Sequence, residues 1–284
     1  MNEDVGKLYI VATPIGNLQD ITFRAVDTLK NVDTIVAEDT RNTRELLNYF
    51  EIKTKLISFN EYATDNKTKL IIDKILNGND VALVSDAGTP LISDPGIKLT
   101  KAAVENDIEI VSIPGACAAI NALVVSGLRT NSFKFIGFLP EENKKRKEIL
   151  KDITDEKATM IFYISLHNLK DDIADLMKIF GGERKATLSR EMTKKYEENI
   201  RGNIDYIYNY VTNNNLRGEF VLVVNGIDKK DLKNKTIEKW NEMTVLEHYN
   251  MYISEGMTEK DTLKKVANDR LMDKSEVYKI IKVK

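Results

Sequence analysis

The chain has 284 residues, enough to bury a large core and to divide into two domains plus a tail. Its 42 lysines and arginines balance 44 aspartates and glutamates, so any contact with nucleic acid has to come from a local basic patch and not from overall charge. A single cysteine, Cys117, excludes an internal disulfide, and two histidines, His167 and His248, stand far apart with no cysteine pair for zinc; a reducing cytosol and no metal are expected.

The opening MNEDVGKLYIV begins acidic and runs into a strand, without the basic region and cleavage pattern of a signal peptide, so secretion is not expected. The longest uncharged stretch, Val111 to Leu128, contains Pro114 and Gly115, and only the part after Gly115 is suited to helix; its length fits a buried core helix better than a membrane span.

Lys7 to Thr13 predicts the first strand, and Pro14 to Asn17 a turn into an amphipathic helix carrying Ile21, Ala25, Val26 and Leu29. Thr34 to Ala37 predicts a second strand that ends in Glu38, Asp39, Thr40 and Arg41, before a helix around Leu46, Leu47 and Phe50. Two acids and a guanidinium converging at a strand end favour a site over a capped turn with a surface ion pair. Lys55 to Phe59 follows as a strand, then Asn60 and Glu61, then a helix through Leu70, Ile71, Ile75 and Leu76 that Gly78 closes in a left-handed cap.

Val81 to Gly96, VALVSDAGTPLISDPG, organises the chain. Val81 to Val84 is a continuous apolar run, as in a parallel strand covered on both faces. The loop after it has Gly88 for positive φ and close backbone approach, Pro90 to fix φ, and Ser93 or Asp94 to cap a helix whose first turn carries Pro95. Open α/β sheets bind ligands at such carboxyl ends. Asp86 and Asp94, with no lysine and no phosphate-cradling glycine spacing, disfavour a phosphate and suit a cation or a donor of hydroxyl and amino groups; S-adenosylmethionine offers a sulfonium, a ribose and an adenine. Taken alone, the loop reads equally as a tight turn whose aspartates only cap.

Glu109 to Ile113 is the next strand, and Pro114 to Cys117 opens a small-residue helix that permits close approach. Cys117 reads as a packing residue and not a nucleophile, with no histidine nearby in sequence. From Ser132 the alternation resumes, with strands over Phe133 to Phe138, Thr159 to Ile164, Ala186 to Ser189 and Phe220 to Val224, and helices over Lys145 to Ile153 and Leu169 to Phe180. Arg190 to Lys194 abuts a strand end and Gly218-Glu219 leads into a strand, so both suit a cleft, whereas Glu197 and Glu198 read as a solvated charge run.

From about Lys239 the chain predicts a helical tail. Leu246, Tyr249 and Ile253 share a face and Gly256 ends that helix; Thr258 with Asp261 resembles a capping box before Leu263, Val266 and Ala267; Asp273 caps a last helix holding Val277, Ile280 and Ile281. Two helices joined by a short turn suggest helix-turn-helix geometry. Lys274, Lys279, Lys282 and Lys284 make the last helix basic, which suits phosphate contact, with a dimer-packing tail as the competing reading.

In TPIGNLQDIT, AEDTRNT, LVSDAGTPLISDPG, IPGACAAI, GFLP, SREMTK and GEFVLVV, taken in order, the chain resembles the tetrapyrrole methylase superfamily, and within it the bacterial small-subunit ribosomal RNA branch of cytidine 2′-O-ribose methyltransferases. The resemblance implies an α/β protein: two α/β domains of the tetrapyrrole methylase type, 1–117 and 118–226, with a small helical tail over 227–284. It also implies a homodimer, a cytoplasmic location, a substrate in small-subunit ribosomal RNA or the assembled subunit, and S-adenosylmethionine in the cleft. Carried over block by block, the cofactor site comprises Pro14, Asp86, Ala87, Gly88, Thr89, Pro90, Ile92, Ala116, Cys117, Phe162, Met192 and Phe220. The chain departs from the usual pattern at Asn60, Tyr62 and Ala63, where relatives often have two histidines and an asparagine, and at Arg129, where they have a proline.

A ribose 2′-hydroxyl needs deprotonation, which makes Glu38, Asp39 and Glu191 the candidate bases and leaves Arg41, Arg190 and Lys194 to hold phosphates. The rivals are a tetrapyrrole or other small-molecule methylase of the same superfamily and a ligand-sensing helix-turn-helix protein. The AEDTRNT block and the tail favour the RNA branch.

Overall fold

The computed structural model describes residues 5–59, 65–94, 96–228, 240 and 243–282. Asn60, Glu61, Tyr62, Ala63, Pro95, Lys239 and Lys284, singled out above, lie outside the described residues. The chain divides into two compact units, residues 1–151 with 158–225, and residues 152–157 with 226–284.

The larger unit contains two five-stranded sheets. In the first, β1 (Leu8–Val11), β2 (Thr34–Ala37), β3 (Lys55–Ser58), β4 (Val81–Val84) and β5 (Ile110–Ile113) run parallel in the order β3-β2-β4-β1-β5. Between them come α1 (Phe23–Asn31), α2 (Thr40–Tyr49), α3 (Asp65–Leu76) and α4 (Ile97–Glu105). Alternation sends Val81 and Leu83 into a core with Ile71, Ile75 and Leu99 of α3 and α4, and Ala82 and Val84 into one with Ala25, Leu29 and Leu47 of α1 and α2. A strand covered on both faces has no use for a polar side, which explains the uninterrupted VALV. Neighbouring β1 and β4 send their helices, α1 and α4, to opposite faces. Such a switch point opens a crevice at the strands' carboxyl ends.

The second sheet follows α5 (Ala118–Ser126). It joins β6 (Phe133–Phe138), β7 (Thr159–Ile164), β8 (Lys185–Arg190), β9 (Glu198–Asn203) and β10 (Phe220–Val224) in the order β6-β7-β10-β8-β9, with α6 (Asn143–Asp152), α7 (Leu169–Phe180) and α8 (Ile204–Asn213) between strands. Only β6 and β7 are parallel; the other neighbours are antiparallel, so the plain alternation expected after Ser132 gives way to a mixed sheet. The small side chains of α5 let Ala119, Ala122 and Leu123 pack closely on Ile161, Val221 and Val223.

Three local expectations are corrected. Glu198 belongs to β9 and is not part of a solvated run: it pairs with Arg190, and its carboxylate accepts the Tyr210 hydroxyl at 2.7 Å. The acidic stretch hid the strand because β9 is an edge, where polar residues are tolerated. Neither Ser93 nor Asp94 caps α4, which begins at Ile97 with Gly96 as an N-cap lacking a side-chain bond. And α5 starts at Ala118, with Cys117 as its N-cap.

The smaller unit carries α9 (Val245–Ser254), α10 (Glu259–Arg270) and α11 (Lys274–Lys282). Thr244 closes a full capping box with Glu247, and Thr258 accepts from the Asp261 N–H. Leu271, at φ +53°, ends α10 and starts a short turn into α11. Tyr249, Leu263, Val266, Ala267 and Val277 form the core. Leu246 and Ile253 are 48% and 38% exposed, so the buried face of α9 is set instead by Tyr249 and His248. His248 stacks on Trp240 at 3.8 Å and accepts from Arg270, whose guanidinium also donates to the carbonyls of Trp240, Met243 and Thr244. Burial and the neighbouring Arg270 charge depress the His248 pKa, so the ring is neutral and its Nδ1 is free to accept.

Candidate active site

The crevice is organised by a short bridge between β1 and the loop after β4. Thr13 and Gly88 exchange backbone hydrogen bonds of 2.8 and 3.0 Å. The Thr13 hydroxyl donates to the Ser85 carbonyl, Ser85 donates to the Gly88 carbonyl, and Thr89 donates to the Ala116 carbonyl at 3.0 Å. Gly88 sits at φ +86°, and a Cβ there would stand 3.1 Å from Ile15 Cγ2, so only glycine fits without strain. Leu91 and Ser93 in this loop, and Glu191 and Thr193 in the loop after β8, hold φ values of +75°, +63°, +51° and +64°. Non-glycine residues in that region are strained, and such strain gathers at ligand sites.

Both loops border one cavity of about 450 Å³. From the first sheet it is lined by Ile15, Asp86, Ala87, Gly88, Thr89, Ile92, Ser93 and Asp94; from α5 and the second sheet by Cys117, Ala118, Phe138, Tyr163 to Leu166, Met192 and Gly218 to Val221. Among the described residues its lining contains acids but no lysine or arginine. Asp94 is the most perturbed of them: burial first, then the charges of Glu38 and Asp86, push its carboxyl up to about 7. Tyr163, raised to about 12 mainly by burial, accepts from the Ala119 N–H at 3.3 Å.

Of the residues expected around the ligand, Asp86, Ala87, Gly88, Thr89, Ile92, Cys117, Met192 and Phe220 line this cavity. Pro14 and Pro90 adjoin lining residues, and Ala116 contributes the carbonyl that holds Thr89. Phe162 is fully buried and does not line it; strand alternation turns its neighbour Tyr163 toward the cavity instead.

Asp39 caps α2, accepting from the Arg41 N–H at 2.8 Å, and grips the Arg41 guanidinium at 2.7 Å. That pairing holds its carboxyl down to about 2, so it is ionised and engaged. For Glu191, burial works to raise the carboxyl, but the Glu219 N–H and Lys194 outweigh it and it titrates below its ordinary value. Lys194 bridges Glu191 at 3.0 Å and Glu219 at 2.7 Å; Arg190 donates to the Arg217 carbonyl at 2.6 Å and faces Glu198. In α11, Lys282 pairs with Glu259 at 2.8 Å, while Lys274 and Lys279 are exposed.

The sequence points to Asp94 both as a cap and as part of the loop's ligand-selecting charge, and to Gly218-Glu219 at a cleft, but it carries no expectation for Tyr163, Phe138, Ser165 and Leu166, which also line the cavity. The available signal for Asp94 was its place among three acids brought to neighbouring strand ends; strand parity could have exposed Tyr163.

The family model Tetrapyrrole (Corrin/Porphyrin) Methylases matches residues 7–207. The chain is 45% identical over 278 residues to a ribosomal RNA small subunit methyltransferase I of Halalkalibacterium halodurans, covering 98% of this chain and 95% of that one. A Bacillus subtilis protein of the same name is 43% identical over 281 residues, covering 99% and 96%. Among solved structures, a diphthine synthase aligns with a TM-score of 0.63 at 13% identity, covering 78% of this chain and 90% of that one, which speaks to the fold alone.

Proposed function

The chain belongs to the tetrapyrrole methylase family, in the branch of the ribosomal RNA small subunit methyltransferases I, and from that premise we propose that it transfers a methyl group from S-adenosylmethionine to the 2′-oxygen of a cytidine in small-subunit ribosomal RNA. The observation that carries this reading is an acid-lined cavity, whose described lining residues include no lysine or arginine, in a chain similar over nearly its full length to proteins of that name.

The donor set fits the cofactor. A cavity of about 450 Å³ has the size of a small-ligand site, and its carboxylates suit a molecule carrying a sulfonium and an ammonium. The backbone of Ala87, Gly88 and Thr89, braced by the Thr13 bridge and the Ala116 carbonyl, would hold it, with Ile15, Ile92, Met192 and Phe220 as apolar walls. When bound, S-adenosylmethionine supplies an activated methyl on a cationic sulfur.

The protein's own work is then alignment and proton removal. Fixing the ribose in line with the methyl accounts for much of the acceleration, because the pairing of reactants is settled before reaction. Asp94, poised at about 7 and lining the cavity, is the best-placed base for the 2′-hydroxyl, with Glu38 beside it in the acid group. Asp39 and Glu191 act instead as braces, since each carboxylate is already bonded to a cation and a backbone N–H. The tail engages phosphate through Lys274 and Lys279. A homodimer in the cytoplasm completes the reading. Methyl transfer from labelled S-adenosylmethionine to small subunits lacking the modification tests it; label that enters a tetrapyrrole and not the subunits would reject it.

A further inference from the structure

Phe138 lines the cavity and is 57% exposed, and the chain is deformed to put it there. β6 pairs with β7 through Phe135 to Ile161, Gly137 to Phe162 and Phe138 to Tyr163, so Ile136 is an extra residue. Phe138 lies three positions after Phe135, and in a regular strand the two would face opposite sides. The bulge restores them to one side, as bulges do beside active sites. Both rings meet Tyr163 edge-on, at 5.0 Å for Phe135 and 5.5 Å for Phe138. The bulge depends on Gly137, whose φ is +74° and whose Cβ, if present, would stand 3.0 Å from Ser93 Oγ. Tyr163 is itself held by the Ala119 N–H, so Phe138 rests on a fixed support.

We propose that Phe138 is the stacking platform for a nucleobase of the RNA, taken out of its own stack so that the attached ribose reaches the cavity. This rests on the function proposed above. A polynucleotide can present phosphate, ribose or base to the site. Asp86 and Asp94 in the lining disfavour phosphate, leaving the neutral base and ribose as the parts that can enter. An exposed ring fixed in the cavity lining offers every base the π-face contact that single-stranded RNA readers use.

Phe138→Ala should leave the circular dichroism spectrum and the affinity for S-adenosylmethionine within about twofold of wild type, while KM for unmethylated small subunits rises about 5- to 150-fold, the range for losing one base–aromatic stack. Phe138→Trp should keep transfer within about threefold, and its added emission, relative to wild type, should be quenched by a cytidine-rich single-stranded oligoribonucleotide. Quenching in a protein that moves no methyl to subunits would retain the platform and reject the proposed reaction. Absence of quenching would overturn the platform. So would an equal loss of cofactor affinity and transfer in Phe138→Ala, which would assign the ring to the cofactor, or a changed sedimentation coefficient, which would assign it to self-association.

Discussion

The carboxylate of Asp86 accepts the backbone N–H of Asp39 at 3.0 Å, and its other oxygen accepts the Asn42 side-chain amide at 3.0 Å. The loop after β4 and the start of α2 are therefore one structure, and AEDTRNT and SDAGTP are two sides of a single wall. Asp86→Ala should free the Asp39 amide, lower stability by about 1 kcal/mol and weaken cofactor binding. Hydrogen exchange over residues 37–43 would report the release; unchanged protection there would show that the two loops stand independently.

Gly88→Val adds a branched side chain at φ +86° against Ile15 and the Ala116 carbonyl. The backbone strain is about 1–2 kcal/mol before any clash. Calorimetry should find S-adenosylmethionine affinity reduced more than about tenfold, which corresponds to about 1.4 kcal/mol, with the circular dichroism spectrum retained. Wild-type affinity in the variant would move the ligand away from this loop.

Asp94 makes both stability and binding depend on pH, with opposite signs. Its folded pKa, about 7, lies above that of the unfolded chain, so between roughly pH 4 and 7 the folded state holds a proton that the unfolded state has lost. Its contribution to stability is therefore greatest at low pH, falls as pH rises through that window and is flat above it. A cationic ligand prefers the ionised form, so cofactor affinity should rise toward pH 7 and then level. Asp94→Asn should remove both slopes; urea melts and calorimetry across pH 5–8 in the variant that still show them would assign the titration elsewhere.

Single-turnover transfer separates base from brace. Asp94→Asn should slow the methyl step about 10²- to 10⁴-fold at saturating cofactor, as for loss of a general base. Glu38→Gln should slow it less. Asp39→Asn keeps a good helix N-cap and should stay near the wild-type rate. If Asp39→Asn is the slowest of the three, the base lies at the end of β2.

In the tail, replacing both Lys274 and Lys279 with alanine should weaken binding to small subunits and reduce the salt slope by roughly 0.7–0.9 for each phosphate that is no longer neutralised. Cofactor affinity should not change. A salt slope equal to that of wild type would make α11 a packing helix.

The first sheet was legible because a doubly covered parallel strand leaves a plain trace: Val81 to Val84 and Thr34 to Ala37 are apolar almost throughout, and the structure gives them those bounds. β9 left no such trace, since ENIRGN owes its place to edge pairing with β8. The motif blocks located the cavity walls, and most of the residues taken from them line it. Partners of individual carboxylates were not legible: Asp39 and Asp94 stand in similar loops, but one meets a guanidinium and the other two more acids. Phe138 was hidden by parity, because a bulge inverts the face that alternation assigns.

The most direct test is to incubate the purified protein with methyl-labelled S-adenosylmethionine and small ribosomal subunits from cells lacking it, then digest the RNA with alkali. A 2′-O-methyl group blocks alkaline cleavage at its own nucleotide, so the expected result is one labelled, alkali-resistant dinucleotide carrying cytidine on the methylated ribose. Label on a base, on protein or on no component of the subunit would contradict the assignment.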